Sequence, residues 1–317
     1  MQPAEKESIL TIALLSAFAD GEQHDSERSE VRRAADALAA ELNAPELYQR
    51  VLMKRTDIDA AASKLQSIEA RTLAYEIAVG VCEADGLRNE AETRFLAQLG
   101  NTLGLAQPAI AGIAATADAL ATVPISGLAA PAGTVVAAAA SIDAAEMDSI
   151  IIKAATINGA LELLPQSLAS MAIIPLQMRL VYRIAKAHGY ELDRDQIKDL
   201  LATLGVGLAG QYLEQVGRKL IGGLLGRAAG GFMGSVARVT TGAAFSFATT
   251  YAIGHVARRY YDGGRTMNAE LLRQAFDDLL QQGRALQARY MPQIEQQARA
   301  IDVGRLVQFV KAASASD

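Results

Sequence analysis

The sequence predicts an all-α fold from three features: its composition, the helical spacing of its apolar residues, and the glycines and capping residues at the ends of the apolar runs. Half of the 317 residues are hydrophobic (51%), alanine dominates that half, aromatic residues make up only 5%, and tryptophan is absent. Such a composition favours helices that pack through small side chains over an aromatic-rich β core. Apolar residues recur at helical spacing along most of the chain, and glycines or capping residues stand where these periodic runs end.

The first hundred residues contain a duplicated pattern of helix, Asp-Gly loop and helix. Ala19-Asp20-Gly21 closes one apolar run, and 65 residues later Ala84-Asp85-Gly86 closes another. Glycine after a helix readily adopts the left-handed conformation that ends it, and acids in the next first turn are favoured by the helix dipole. Two such acids follow each loop at the same offsets: Asp25 and Glu27, then Glu90 and Glu92. We therefore expect acids at the mouth of each of two equivalent loops.

This pattern resembles the TerB family of tellurite-resistance proteins over roughly residues 1 to 118. The resemblance implies an all-helical bundle with an internal duplication, whose acidic loop residues bind a divalent metal ion such as Ca²⁺, Mn²⁺ or Zn²⁺. Carried over residue by residue, the implied ligands are Asp20, Asp25, Glu27, Asp85, Glu90 and Glu92. The alternative interpretation is that the glycines end helices, that Asp25 and Glu90 serve helix starts, and that the acids are solvated.

The segments that follow have clear boundaries. A third helix is expected over 45–54, then a polar turn at 56–59, and the second copy supplies helices over 68–84 and 90–103. Residues 105–142 are rich in Ala, Gly and Pro, and Asp118 is their only charge. We expect a junction over 119–142, either a short helical hairpin or a mobile linker.

Capping boxes mark two helices of the second half. Asp143 with Glu146 begins a helix that runs to Pro165, and Asp193 with Gln196 begins another over 194–213. Between them a helix after Pro175 places Arg179, Arg183 and Lys186 at spacings of four and three, which predicts one basic stripe. From 268 onwards an amphipathic helical tail is expected, kinked or restarted at Pro292 and disordered from 312 to 317.

A glycine ladder is the most regular feature of this half: Gly222, Gly226, Gly230 and Gly234, with Gly242 in phase. Each glycine inside a helix costs about 1 kcal/mol relative to alanine, so the ladder predicts close approach of a neighbouring helix, as in lipid-embedded packing. Residues 239–257 carry no Asp, Glu, Lys or Arg and are long enough to span a bilayer, but their Thr, Ser and His content makes a poor span. Membrane embedding or surface insertion, a tightly packed soluble helical hairpin, and a loop too flexible for regular structure all remain open.

A second resemblance covers roughly residues 143 to 285. It is carried by Pro175, Gln177, Arg179, 182–185, 189–190, 200–205, the glycine-rich run, 250–254 and 260–264. This series is similar to the helical domain of unknown function in YcjF-type inner-membrane proteins, which is also attached to certain GTPases and is partly shared by EcsC-like proteins. The resemblance implies association with the cytoplasmic membrane and with a GTPase. That GTPase must be a separate chain because no Gly-x-x-x-x-Gly-Lys-Ser/Thr motif is present.

Charge and reactive residues narrow the function classes. The net charge of −5 includes −7 over residues 1–100 and +6 over 215–261. This distribution favours an anionic membrane face or an acidic partner over nucleic acid as the binding partner.

The single Cys82 excludes a disulfide framework and indicates a reducing compartment. The apolar run before Asp20 lacks a cationic flank and imitates a signal peptide only superficially, so we expect the N-terminus to stay in the cytoplasm. No catalytic motif is present, and we expect a protein that is not an enzyme.

These observations predict four segments: 1–118 TerB-like, 119–142 junction, 143–285 YcjF-like and glycine-rich, and 286–317 tail. The function that they favour is a membrane-associated bacterial protein on the cytoplasmic face of the inner membrane. It carries a metal-binding module, acts in envelope or tellurite-type metal stress, and works with a GTPase partner or as a homo-oligomer through its glycine-rich helices. The alternatives are a soluble helical scaffold that binds metal and a glycine-zipper protein that inserts into membranes.

Overall fold

A computed structural model describes residues 1–19, 25–38, 43–84, 88–123, 143–164, 167–222 and 236–315. Every regular element among these residues is helical and none is a strand, so the predicted all-α class is confirmed. In chain order the α-helices are α1 Pro3–Ala17, α2 Asp25–Ala37, α3 Ala44–Leu52, α4 Ile58–Ala62, α5 Ile68–Cys82, α6 Glu90–Thr102, α7 Gln107–Ala121, α8 Ala144–Leu163, α9 Ser167–Met171, α10 Ile173–Ala187, α11 Arg194–Thr203, α12 Leu208–Gly222, α13 Val236–Asp262, α14 Ala269–Ala300 and α15 Leu306–Ala315.

The chain forms two compact units, and each is assembled from separate stretches. Unit 1 comprises Met1–Thr122, Leu164–Met171 and Val206–Val239; unit 2 comprises Val123–Leu163, Ala172–Gly205 and Thr240–Asp317. Helices α9 and α12 therefore belong with the N-terminal helices although they lie within the predicted 143–285 segment. Helix α7 also crosses the predicted boundary at 118.

The duplication within unit 1 extends to the helix boundaries. Helices α1 and α5 have 15 residues each, α2 and α6 have 13 each, and all four ends in the second copy lie 65 residues after their counterparts. The two first helices of the copies, α1 and α5, pack against each other. The contact buries matched side chains completely: Ile12 and Ala13 in one copy, Ile77 and Ala78 in the other. Removal of each isoleucine side chain from water is worth about 1.5–3 kcal/mol.

Helix α12 completes the core of unit 1, where it packs against α1, α2, α5 and α9. Tyr212 is wholly buried and lies against the bare backbone of Gly80, where a Cβ atom would overlap the ring. Gly217 in turn accommodates Leu38, whose methyl groups fill the place of a side chain. The counterpart of Gly80 in the first copy is the half-buried Leu15. The glycine therefore marks the position at which the repeat departs from symmetry to receive α12.

Unit 2 is a bundle in which α8 packs against α14 and α10. Helix α13 enters its interior through small residues. A Cβ atom on Gly254 would lie 2.8 Å from Ile151 of α8, and one on Gly283 of α14 would lie 2.9 Å from the Ala248 Cα of α13. Because only small residues lie between these helices, their backbones can come into extensive contact.

Several boundaries differ from the sequence expectation. The helix expected over 194–213 is two helices, because Gly205 adopts φ +78° after α11 and directs the chain into α12. The polar turn expected at 56–59 begins the short helix α4, whose N-cap Asp57 accepts a hydrogen bond from the Ala60 N–H at 2.8 Å. Asn and Asp at such positions stabilise helix starts as well as turns, which explains the error.

The C-terminal segment is helical, as expected. Helix α14 passes through Pro292 without a break, and its expected packing face is present in the buried Leu272, Phe276 and Leu279. Helix α15 ends at Ala315, and the disorder expected from 312 stays a prediction. The junction residues 124–142 lie outside the described residues.

Replacement of Gly80 by alanine should destabilise the protein. Tyr212 is fully buried and a Cβ atom at position 80 would overlap its ring, and overpacking of this kind costs about 1–3 kcal/mol. Gly112→Ala is the matched control, because this helical glycine of unit 1 has no atom within 4 Å of an added Cβ atom. The control should gain up to about 1 kcal/mol from helix propensity. Urea unfolding monitored by circular dichroism measures both, and equal effects would contradict the close contact at Gly80.

Candidate functional site

The second Asp-Gly loop connects α5, which ends at Cys82, to α6, which begins at Glu90. Its two ends are joined by an ion pair: the Arg88 Nε donates to the Glu83 Oε1 at 2.8 Å, and the Glu83 residue is 6% exposed. Charge-assisted hydrogen bonds of this kind are stronger than neutral ones, so the pair links Glu83 to Arg88. The sequence analysis missed this pair, although two opposite charges five residues apart across a loop are a detectable signal.

A capping box forms the start of α6. Asn89 is the N-cap, and its Oδ1 accepts from the Glu92 N–H at 2.9 Å, while the Glu92 Oε2 accepts from the Asn89 N–H at 2.8 Å. The helix-starting role expected of Glu90 therefore belongs to Asn89 and Glu92. One carboxylate oxygen of Glu92 is therefore used in this capping arrangement.

The six predicted metal ligands divide into three groups. Asp20 and Asp85 lie outside the described residues. Asp25 and Glu27 fall in the first turn of α2, at positions equivalent to Glu90 and Glu92 in α6, but their side chains are not described. Glu90 is exposed and Glu92 is half-buried.

Glu90 and Glu92 do not form a binding site by themselves. Residues two apart on a helix point to different faces, so these two carboxylates cannot clamp one ion from the helix alone. A metal at this loop would need Asp85 or backbone oxygens as well. Within the part of the chain that the structure describes, no group of three or more His, Cys, Asp or Glu is arranged to hold a metal ion.

The first copy of the loop lacks the ion pair. Phe18 and Gln23 occupy the positions equivalent to Glu83 and Arg88. Phe18 packs instead against Tyr48 of α3, with ring centroids 5.8 Å apart. The two loops are therefore anchored differently, the first by an aromatic contact and the second by charge.

No family model, curated protein or solved structure matches this chain. The two resemblances noted in the sequence therefore stay predictions.

Three of the six cations in the basic block of residues 215–261 make contacts inside their own unit. Arg218 pairs with Glu214 one turn before it, and the buried Lys219 donates to the Leu164 carbonyl at 3.1 Å. Arg258 binds Asp148 of α8 at 2.5 Å. Arg259 is exposed, whereas the side chains of Arg227 and Arg238 lie outside the described residues. The net charge of +6 therefore overstates the positive surface of this segment.

The three cations expected to form a basic stripe on α10 differ in their exposure to solvent. Arg179 is buried at 7% exposure, Arg183 is half-buried, and only Lys186 is exposed. The 3.6-residue period placed all three on one side of the helix correctly. It could not show that α10 is surrounded at its N-terminal end, where Ile173, Ile174 and Gln177 are buried as well.

A half-buried carboxyl group, that of Glu76, lies in unit 1 beside α9. The Ser167 hydroxyl donates to Glu76 of α5, and the Ser167 carbonyl accepts from the Tyr212 hydroxyl at 3.5 Å. Burial raises the pKa of Glu76, and the hydrogen bond from Ser167 opposes that rise only in part. The group helps to fix α9 against α5.

Unit 2 contains a polar cluster that the sequence analysis did not identify as a site. The Thr250 Oγ1 accepts from the Asn158 Nδ2 at 2.9 Å and from the Gln177 Nε2 at 3.0 Å, and all three residues are 0% exposed. One turn away, the Ser246 hydroxyl donates to the Glu162 Oε2 at 3.3 Å. The detectable signal was the pairing of polar residues four apart on two apolar helices: Asn158 with Glu162 and Ser246 with Thr250.

The glycine ladder is described only at its ends. Gly226, Gly230 and Gly234 lie outside the described residues, and Gly222 ends α12. Gly242 behaves as expected, since a Cβ atom there would lie 3.1 Å from the Glu162 side chain of α8. Residues 239–257 all fall within α13. None of the described helices combines the length and the sustained hydropathy that a bilayer crossing requires.

Replacement of Thr250 by valine should destabilise unit 2 strongly. Valine keeps the shape but removes the acceptor of two buried amide groups, and each unsatisfied donor costs about 1–3 kcal/mol. We expect a loss of about 2–4 kcal/mol in the free energy of unfolding. The matched control is Thr203→Val, since the Thr203 hydroxyl is exposed and donates only to the Asp199 carbonyl one turn earlier. Guanidinium unfolding measures both, and a loss below about 1 kcal/mol for Thr250→Val would exclude a structural role for this threonine.

Proposed function

We propose that the chain is a non-enzymatic helical protein whose unit 1 binds divalent metal ions at its two Asp-Gly loops. In this proposal it works at the cytoplasmic face of a bacterial membrane, in envelope or metal stress, with a GTPase as partner in trans. The observation that carries the metal part is the duplication. Two loops of the same length join equivalent helices, and each places acids at the same offsets from its glycine.

The geometry of the second loop supports the metal part. Hard divalent cations prefer several oxygen ligands, and a short loop provides backbone carbonyls together with carboxylates. The Glu83–Arg88 pair holds the two ends of the loop close to each other, which reduces the entropy lost when an ion orders the residues between them. Arg88 is satisfied by Glu83, and the exposed Glu90 is available for a ligand.

The membrane part rests on the YcjF-type resemblance and on the distribution of charge. Arg259, Arg183 and Lys186 retain exposure in unit 2. A second candidate function, a soluble helical scaffold, is favoured by the internal contacts of Gly242, Gly254 and Gly283. These contacts use glycine for close helix packing within the unit, which a purely soluble bundle also permits.

Calorimetric titration with Ca²⁺, Mn²⁺ and Zn²⁺ tests the metal part. Asp20→Ala and Asp85→Ala should each weaken binding by about tenfold or more, the range already lost when an outer-shell partner of a metal is removed. Glu92→Gln is the sharper variant, because glutamine preserves the capping box at this position and removes the negative charge. Asp118→Ala, which removes an exposed carboxylate of α7, is the control.

The expected pattern is loss of affinity in Glu92→Gln with little change in the urea midpoint. The metal-binding role would be contradicted if Asp85→Ala and Glu92→Gln bound the ions as the wild type does, or if the wild type bound none of the three ions. The acids would then serve only to cap helices.

Cell fractionation tests the membrane part. The protein should sediment with membranes at low salt and be released by high salt, because contacts between exposed charges are screened. Recovery wholly in the soluble fraction at low salt would contradict membrane association and favour the scaffold function.

A further inference from the structure

The turn after α3 exposes apolar side chains that the rest of unit 1 does not cover. Leu52 is 39% exposed and Met53 is 56% exposed, although the preceding Val51 is buried. Lys54 and Arg55 follow at once and are exposed, and Arg50 is half-exposed on the last turn of the helix. Two apolar side chains are therefore flanked by three cations within six residues.

The backbone of this turn is fixed by hydrogen bonds. The Lys54 N–H donates to the Val51 carbonyl at 2.9 Å, and the Arg55 N–H donates to the Arg50 carbonyl at 2.8 Å. Lys54 adopts φ +53°, the left-handed conformation that glycine occupies most easily after a helix. A lysine is held where a glycine would be less strained, which suggests that its side chain serves a purpose.

Arg265 in unit 2 has a backbone conformation similar to that of Lys54 but different side-chain contacts. Arg265 also adopts a left-handed conformation, at φ +63°, but its guanidinium lies 5.8 Å from the centre of the Tyr190 ring. Lys54 makes no ion pair or ring contact with any described residue. A helix C-terminus attracts cations through its dipole, but the dipole does not account for the exposed Leu52 and Met53 beside them.

The chemistry of the turn suits an anionic lipid surface. Apolar side chains of this size enter the boundary between headgroups and acyl chains, while adjacent cations attract anionic headgroups. A stable protein interface needs roughly 1,000 Å² or more, far above what two side chains provide. The turn is also a local exception in charge, since the first 100 residues carry a net charge of −7.

We propose that the turn formed by residues 50–55, which we call the α3 turn, is a contact of unit 1 with an anionic lipid bilayer. Each cation near such a surface increases the affinity only about fivefold, so the contact is weak and reversible. It is sensitive to salt because this attraction is electrostatic. It rests on the membrane part of the proposed function and assigns that part to residues outside the basic block of 215–261.

A single fluorophore tests the α3 turn directly, because the chain contains no tryptophan. Met53→Trp should show a blue shift of its emission with vesicles of phosphatidylcholine and phosphatidylglycerol, and no shift with pure phosphatidylcholine or at high salt. Leu271→Trp is the control, since Leu271 is 50% exposed and stands next to the exposed Glu270. Unchanged emission from Trp at position 53, or equal shifts at both positions, would overturn the proposal.

Co-sedimentation with the same vesicles separates fold from binding. Lys54→Gly should bind about fivefold more weakly and yet unfold at a higher urea concentration, because glycine relieves the left-handed conformation. Arg94→Gln, which removes an exposed cation from α6, should bind as the wild type does.

The two assays distinguish two kinds of failure. Vesicle binding by the wild type, without a shift in the emission of Trp at position 53, would overturn the proposed lipid contact of the α3 turn. The membrane part of the proposed function would still stand. Absence of vesicle binding together with a soluble protein in cell fractions would overturn both.

Discussion

Close approach of helices through glycine and alanine is the constraint on which both units depend. In unit 1 the backbone of Gly80 receives the ring of Tyr212, and Gly217 receives Leu38. In unit 2 the same device brings Gly254 against Ile151 and Gly283 against the backbone of Ala248. Such contacts gain dispersion energy over long stretches of backbone, and they tolerate no added carbon at the point of closest approach. A chain poor in aromatic residues builds its core in this way.

Several of the polar groups that enter these narrow interfaces are hydrogen-bonded across them. Thr250 accepts two amide hydrogen bonds in the interior of unit 2, and Ser246 binds Glu162 one turn away. Paired groups of this kind fix the rotation of one helix against its neighbour, because any slip leaves a donor without an acceptor. The same threonine and serine residues make 239–257 a poor membrane span on hydropathy. One composition therefore explains both the packing and the low hydropathy of α13.

Local signals in the sequence were sufficient for much of the N-terminal fold. The apolar period and the capping residues predicted helices over 68–84 and 90–103, which agree with α5 and α6 to within two residues, and the offset of 65 residues identified the equivalent loops. The sequence could not show that α12 joins these helices, because no local property of 208–222 specifies a partner more than 100 residues away. It also could not distinguish an exposed cation from one bound internally. Arg179, Lys219 and Arg258 all have helical spacing suited to a surface, and each is used within its unit.

The discontinuous make-up of unit 1 affects the order in which the protein can fold during synthesis. Helices α1 to α7 are complete when residue 122 has been added, but the helix that covers Gly80 ends at residue 222. At about 5–20 residues per second, the ribosome needs roughly 5–20 s to make the intervening chain. During that interval the apolar surface that later receives Tyr212 faces water or a chaperone. The N-terminal half of this chain is therefore finished by its C-terminal half, and unit 1 should be slow to reach its final packing however quickly its individual helices form.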